Sequence, residues 1–515
     1  MPDLRDSQVT LQGRGEARPE DVAAVASGAR LRLSASVSAR LREERAALDA
    51  AIARGAPVYG VTHGLGARSG QLLAVTEPHE FAAQTIRGRA HAVGPALDVT
   101  TVRAAIAARV VGFAGGGSGV SPHVAEMLVA LLDAGVTPVV PSIGSIGLSD
   151  LCQFAHVGLV TIGEGGAVVG DDAETITGAA ALRAAAIPPL RLAAKDGLTL
   201  CGGNPVAAGA GSLAVVSLRR LVEWAEALLA LSMSGFAANP SPLHPEVVRR
   251  RGGADMARVA EVLRTLTGSP AAGTHDADIA PLPPRRLQDP VSFRAAAASL
   301  AALHRALRLM YDEVTAELNG SGDNPVVVGE EVLPTGNFHT PALAQACDGL
   351  ALALAAYANS VVGRCQRFLQ PALTELPVNL TAGGPDSSGL APVAKVAQAL
   401  LLQLRRQASP WAHDAREGAE AVEDDATNAS VAAVRLLAMS DLFARLLAVE
   451  AVHAAQAVDL RPAPLHGPLA TLHAALRQVS PPLAADRSLG AELESLAVVM
   501  TTSRPATHPQ PGQGD

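Results

Sequence analysis

The stretch Val206–Ser234, VAAGAGSLAVVSLRRLVEWAEALLALSMS, decides the fold class. Its apolar residues recur at helical spacing and no proline interrupts them. The run is far longer than the average globular helix of about 11–12 residues. Alanine and glycine lie on every face, which lets helix axes approach closely and suits a helix buried inside a bundle. The same pattern recurs outward from it, at Val102–Val111, His123–Ala134, Phe293–Asn319, Pro341–Leu369, Pro392–Gln407 and Ala429–Ala457. Period-two alternation is rare, so any sheet is minor. The expected fold is mainly α, with a long-helix bundle over residues 196–502 and a loop-rich helical region over 21–195. Residues 1–20 read as a flexible start and 503–515 as a disordered tail.

Composition narrows the function classes. The chain has 515 residues, 49% hydrophobic and 17% charged, with a formal net charge of −8. That balance, without a long Lys/Arg cluster, argues against a phosphate-backbone binder. Aromatic residues make up only 3%, too few to stack bases. The N-terminus has no apolar core of a signal peptide. The most apolar runs, Gly349–Ala356 and Val206–Leu218, are too short or too rich in Gly and Ala to read as membrane spans. Cys152, Cys201, Cys347 and Cys365 lack metal-ligand spacing, so no metal is expected and they read as reduced packing residues. A cytoplasmic location is the default expectation.

Gly-rich polar loops separate the helices: Val58–Gly70 (VYGVTHGLGARSG), Gly112–Ser121 (GFAGGGSGVS), Pro141–His156 (PSIGSIGLSDLCQFAH), Gly197–Asn204 (GLTLCGGN), Arg286–Arg294 (RLQDPVSFR), Asn319–Pro325 (NGSGDNP), Gly336–His339 (GNFH) and Glu417–Asn428 (EGAEAVEDDATN). Irregular loops on a rigid frame are where sites usually sit. The GGGSG stretch lacks the GK[ST] ending of a phosphate loop.

In order and spacing, these loops resemble the histidine/phenylalanine ammonia-lyase family over roughly residues 20–500. VYGVTHGLG is similar to the family's Tyr-Gly-x-x-Thr-Gly-Phe-Gly loop, GRAHAVG to Ser-His-Ala-Ala-Gly, and QDPVSFR to Gln-Asp-Pro-Tyr-Ser-x-Arg. GDNP and GNFH match further signatures. The resemblance implies an ammonia-lyase/aspartase-like helix bundle, a homotetramer with active sites shared between subunits, and a small carboxylate substrate. It assigns the catalytic base to Tyr59 and carboxylate anchoring to Arg294. Asn324, Gln288, His91, His63, Asn204, Phe338 and His339 become candidate substrate contacts. Glu423 falls where the family has a glutamate that meets the substrate's side chain or cationic nitrogen.

The departures concern the cofactor. Family enzymes cyclise an internal Ala-Ser-Gly into 4-methylidene-imidazol-5-one (MIO), an electrophile that captures the substrate amine. The matching segment here is one residue short and reads Leu148-Ser149-Asp150. Cyclisation needs the third residue's nitrogen close to the first residue's carbonyl, a geometry that glycine permits and a Cβ-bearing residue resists. The family's Asn-Gly-Thr loop reads Gly202-Gly203-Asn204. No MIO, and no other cofactor, is therefore expected.

A phenol titrates at roughly 10, so a tyrosine base requires cations or N–H groups around its oxygen; a buried structural tyrosine is the competing reading. Arg294 could instead pair with Asp289, and Asp-Asn-Pro around Asn324 is also an ordinary turn. Lys395 is either a snorkelling surface lysine or a site cation. Asp424 and Asp425 read as a solvated helix start. Three functions remain open at this level. The first is a cofactor-independent carbon–nitrogen lyase, for which ergothionase, a superfamily member that expels trimethylamine without MIO, is the precedent. The second is a cyclase, isomerase or conjugate-addition enzyme on an activated unsaturated substrate. The third is an inactive binding or scaffold subunit.

Overall fold

The computed structural model describes residues 7–73, 77–170, 174–268, 286–381, 383–412, 422–462 and 465–507. It is mostly helical, as the sequence pattern requires. The longest helices are Pro205–Phe236, Ala296–Asn319, Pro341–Phe368 and Ala429–Asp459. The expected Phe293–Asn319 helix is broken at Ala295, which has φ −107° and ψ 10° and separates a single turn, Val291–Arg294, from Ala296–Asn319. Pro205–Phe236 and Pro341–Phe368 are long and apolar enough to cross a membrane by length and composition. In each, most of the most apolar window, 72% and 61% respectively, is buried inside the protein.

The chain divides into two compact units. The first comprises residues 1–216, 310–348 and 410–437; the second comprises 217–309, 349–409 and 438–515.

The first unit carries the loops and the short strands. Thirteen of the seventeen residues of Val99–Gly115 are buried, among them Arg109. Close packing against the start of the Pro205 helix depends on Gly209, where a Cβ would lie 2.6 Å from the Ala104 carbonyl carbon. This is the use that the sequence pattern anticipates for small residues. The Val99 helix runs through Gly115, further than the loop expected from Gly112. The chain then turns through Gly116, Gly117 and Gly119, with φ of 91°, 86° and 59°, a left-handed conformation that side chains disfavour. The strands are short: Gln8–Leu11 pairs in parallel with Arg30–Leu33, Val93–Ala96 is antiparallel to Pro141–Ile143, and Val326–Val328 forms a hairpin with Glu331–Leu333. Within the segment expected as a flexible start, Gln8–Leu11 forms this strand: Val9 and Leu11 alternate with polar residues, and Leu11 is buried.

The second unit is helical and packs around aromatic rings and one buried ion pair. Phe236 stacks on Phe293 at 3.9 Å between centroids, and both meet Phe368 edge-on. Arg364 donates to Glu450 through Nε at 2.5 Å, and both side chains are fully buried. Ser232 and Tyr357 complete their hydrogen bonding.

Candidate active site

A cavity of about 450 Å³ in the first unit is lined from six of the eight loops singled out by sequence; Gly112–Ser121 and Arg286–Arg294 contribute no lining residue. Tyr59, Leu148, Ser149, Asn324, Phe338, His339 and Glu423 line it, together with Arg89, Gly202, Asp323, Asp424 and Asp425.

The loop carrying Tyr59 folds back on itself. Thr62 Oγ1 accepts from the Val58 N–H at 2.7 Å, and the Gly60 N–H donates to the His63 carbonyl. Gly60 sits at φ 68°, where a Cβ would collide with Leu65 and Leu198 at 2.7 Å. The fold-back brings the Gly66 N–H to the Tyr59 hydroxyl, which accepts it at 3.0 Å.

The Leu148-Ser149-Asp150 segment is held from both sides. Upstream, Thr427 Oγ1 donates to the Gly147 carbonyl at 3.0 Å and the Asn428 N–H to the Ile146 carbonyl at 2.9 Å. Ser149 is left-handed at φ 65°. Downstream, the Asp150 N–H donates to the Gly203 carbonyl at 2.8 Å. The buried Asp150 carboxylate accepts the Val206 and Ala207 N–H groups at 2.8 and 3.0 Å, capping the Pro205 helix. Burial nevertheless pushes the Asp150 carboxyl up to about 6.

Behind the cavity wall, Asn204 Nδ2 donates to Glu317 Oε1 at 3.1 Å and to the Phe338 carbonyl at 2.9 Å. Burial raises Glu317 to about 7, with the Asn204 hydrogen bond opposing. Asn204 is thus a buried bracket for Phe338 and does not line the cavity. Asp323 is neutralised by Arg109, whose Nη2 lies 2.7 Å from Oδ1. Lys195, which sequence reading passed over, is buried and donates to the Ser118 carbonyl. Burial lowers it to about 8, although Asp323 pulls the other way.

Other sequence candidates lie elsewhere. His63 faces a separate cavity of about 290 Å³, lined also by Phe81 and Lys195. His91 is exposed; Arg89, two residues before it, is the member of that segment that reaches the cavity. Gln288, Arg294 and Lys395 belong to the second unit. Arg294 is exposed and donates to Gln288 Oε1. The alternative pairing of Arg294 with Asp289 is not what forms: Asp289 is bound by Arg286 at 2.8 Å. Lys395 is exposed on the helix Ala391–Gln407. Asp425, read as a solvated helix start, reaches His339 Nε2 at 3.2 Å. Among the described residues no cluster of three or more His, Cys, Asp or Glu could hold a metal ion.

The family model for aromatic amino acid lyases matches residues 17–479. The chain belongs to the aromatic amino acid lyase family. This lyase is 32% identical to the histidine ammonia-lyase of Symbiobacterium thermophilum over 487 residues, covering 93% of the chain and 94% of that protein. Its fold superposes on histidine ammonia-lyase from Trypanosoma cruzi with a TM-score of 0.87 and 27% identity, covering 96% and 93% of the two chains. It superposes equally on ergothionase from Treponema denticola, solved with desmethyl-ergothioneine sulfonic acid. There the TM-score is 0.86 and the identity 25%, over 96% and 99% of the chains. The aromatic lyase described here is accordingly an enzyme of the carbon–nitrogen lyase class.

Proposed function

We propose that this enzyme is a MIO-independent lyase that eliminates an amine from a carboxylate-bearing, amino-acid-like substrate, with Tyr59 as the base. The observation that carries the reading is the Tyr59 hydroxyl, which accepts the Gly66 N–H in a cavity that it shares with Asn324 and the carboxylates Glu423–Asp425. Likeness to ergothionase supports it.

The residues of the Leu148–Asp150 segment fit MIO poorly. The nitrogen that would attack the Leu148 carbonyl is that of Asp150, and its N–H is committed to the Gly203 carbonyl. The Asp150 side chain is committed to the Pro205 helix. The proposed reaction passes through no such group. Without an electrophile on the amine, the amine must already be a good leaving group. A quaternary ammonium meets this need, because it departs as a neutral tertiary amine.

In the proposed step Tyr59 acts as its phenolate and takes the β-proton, becoming the neutral phenol. The C–H electron pair becomes the second bond of the new alkene, and the C–N pair leaves with the amine. Glu423 holds the cationic nitrogen until it departs. Following the family resemblance, Arg294 is proposed as a carboxylate anchor, with Gln288 ordering it, in a cytoplasmic homotetramer that brings loops of several subunits to each site. Lys395 is proposed as a cation contributed in the same way.

Two measurements test the reading. The intact mass should match the unmodified sequence, and a mass lower by two waters would refute MIO independence. Incubation with trimethylated histidine, phenylalanine and tyrosine should release trimethylamine with a rise in ultraviolet absorbance. Release of ammonia from the free amino acids instead would overturn the leaving-group argument.

A further inference from the structure

His63 follows Tyr59 in the same loop, at the position where the family pattern Tyr-Gly-x-x-Thr-Gly-Phe-Gly has threonine. Its main-chain carbonyl accepts the Gly60 N–H at 3.0 Å. Its ring meets the neighbouring hydroxyl, with Nδ1 3.0 Å from Thr62 Oγ1. The ring also lines the cavity of about 290 Å³, on the other side from the pocket that Tyr59 faces.

Thr62 ties the neck of the loop. Its Oγ1 accepts the Val58 N–H at 2.7 Å. It carries one proton for three acceptors: the Ala56 carbonyl at 3.2 Å, the Val58 carbonyl at 3.3 Å and the His63 ring. The Val58 carbonyl already receives the Val61, Thr62 and His63 N–H groups, so the contest lies between Ala56 and His63. A hydroxyl has one donor and two acceptor lone pairs. When His63 Nδ1 carries a proton it donates to Oγ1, the hydroxyl proton turns to the Ala56 carbonyl, and every site on Oγ1 is used. When Nδ1 is bare it takes the hydroxyl proton, and the Ala56 carbonyl loses that donor. An imidazolium carries both ring protons and enforces the first arrangement. A neutral ring can hold its proton on Nε2 and permits the second.

The charged groups packed around the ring are engaged elsewhere. Lys195 lines the same cavity, but its ammonium donates to the Ser118 carbonyl. Asp196 is bonded by Ser121, His79 accepts the Leu192 N–H, Glu80 pairs with Arg87, and Arg54 donates to the Glu330 carbonyl. Glu77 and Arg68 are exposed.

We propose that His63 is a positioning residue for Tyr59: with a proton on Nδ1 it closes the Ala56–Thr62 neck of the loop, and loss of that proton loosens the neck. The loop that carries the base is therefore held more firmly on the acid side of the histidine titration. This rests on the elimination reading only for the use made of Tyr59.

Amide hydrogen–deuterium exchange of the full-length protein, corrected for the chemical exchange rate at each pH, reads the neck without any substrate. Between about pH 5 and about pH 8, where histidine changes charge, protection of the peptide carrying Val58 and Gly60 should fall in wild type. The fall should be about fivefold, the worth of one net hydrogen bond. H63N and H63T have no proton to lose and should show no such step. The helix Pro205–Phe236 should exchange alike in all three proteins, which shows that the variants are folded; if one is not, the other decides. A wild type without the step, or a step that survives substitution of His63, overturns the proposal. Amine release is a separate arm: the pH profile of kcat in wild type should differ from that of H63T by the same step, with KM unchanged. No amine release from any of these proteins, with the exchange step intact, would remove the elimination reading and leave the role of His63 in the loop standing.

Discussion

The Asp150 N–H donates to the Gly203 carbonyl at 2.8 Å while the Asp150 carboxylate caps the Pro205 helix through Val206 and Ala207. The Leu148-Ser149-Asp150 segment thus ends in a cap on the Pro205 helix. Loss of such a cap costs about 1–2 kcal/mol. Asp150→Ala should lower the urea midpoint accordingly, and Asp150→Asn, whose amide oxygen can accept the same N–H groups, should lose clearly less. Equal losses in the two variants would show that the cap contributes little.

Tyr59→Phe removes the oxygen that the Gly66 N–H approaches and leaves the ring. If that oxygen takes the proton, kcat for amine release should fall by about 10²–10⁴-fold, the usual worth of general base catalysis. Betaine affinity should stay within about twofold. Unchanged turnover would remove Tyr59 from the mechanism.

Glu317 and Asp150 both have raised carboxyls, at about 7 and about 6, because burial disfavours their charged forms. The folded protein therefore holds protons that the unfolded chain has already released. Their contribution to stability is full below the ordinary carboxylate range and is lost as pH rises through about 7. Thermal midpoints across this window should decline less steeply for Glu317→Gln, a neutral analogue of the protonated acid, than for wild type. An identical slope would show that Glu317 does not titrate there.

Arg364 and Glu450 form a fully buried pair in the second unit. Glu450→Gln leaves a guanidinium without its counter-charge and should destabilise that unit by about 3–5 kcal/mol. Replacing both residues with leucine should cost less than the single change. Calorimetric unfolding of the single and double variants distinguishes the two, and a near-silent single variant would contradict the pairing.

Fold class was legible because periodicity carries it: Val206–Ser234 reads as one long helix and is one. The strand Gln8–Leu11 escaped because four residues are too few for alternation to stand out, and its order comes from pairing with Arg30–Leu33. The break at Ala295 escaped because alanine carries no local signal for one. In the site, loop motifs identified Tyr59, Phe338, His339 and Glu423 as neighbours, but motif membership does not say which way a side chain points. In GRAHAVG the histidine drew the reading and the arginine reaches the cavity. In GGN the asparagine was taken for a substrate contact and instead braces Phe338 from behind. The charge of Arg89, in a matched segment of an acidic chain, was the available signal. Arg294, Gln288 and Lys395 do not line that cavity, which motif membership alone does not reveal.

The packing around Gly147 limits how the segment after it can be re-engineered. A Cβ at Gly147 would lie 2.2 Å from Thr427 Oγ1 and 2.5 Å from the Asn428 nitrogen, while Asp150 is tied to Gly203 and the Pro205 helix at the other end. The segment between them has no slack. Inserting a glycine after Ser149 would have to lift Asp150 off its helix or push Gly147 into Thr427. A library that lengthens the Leu148–Asp150 segment must therefore also vary Thr427, Asn428 and the start of the Pro205 helix.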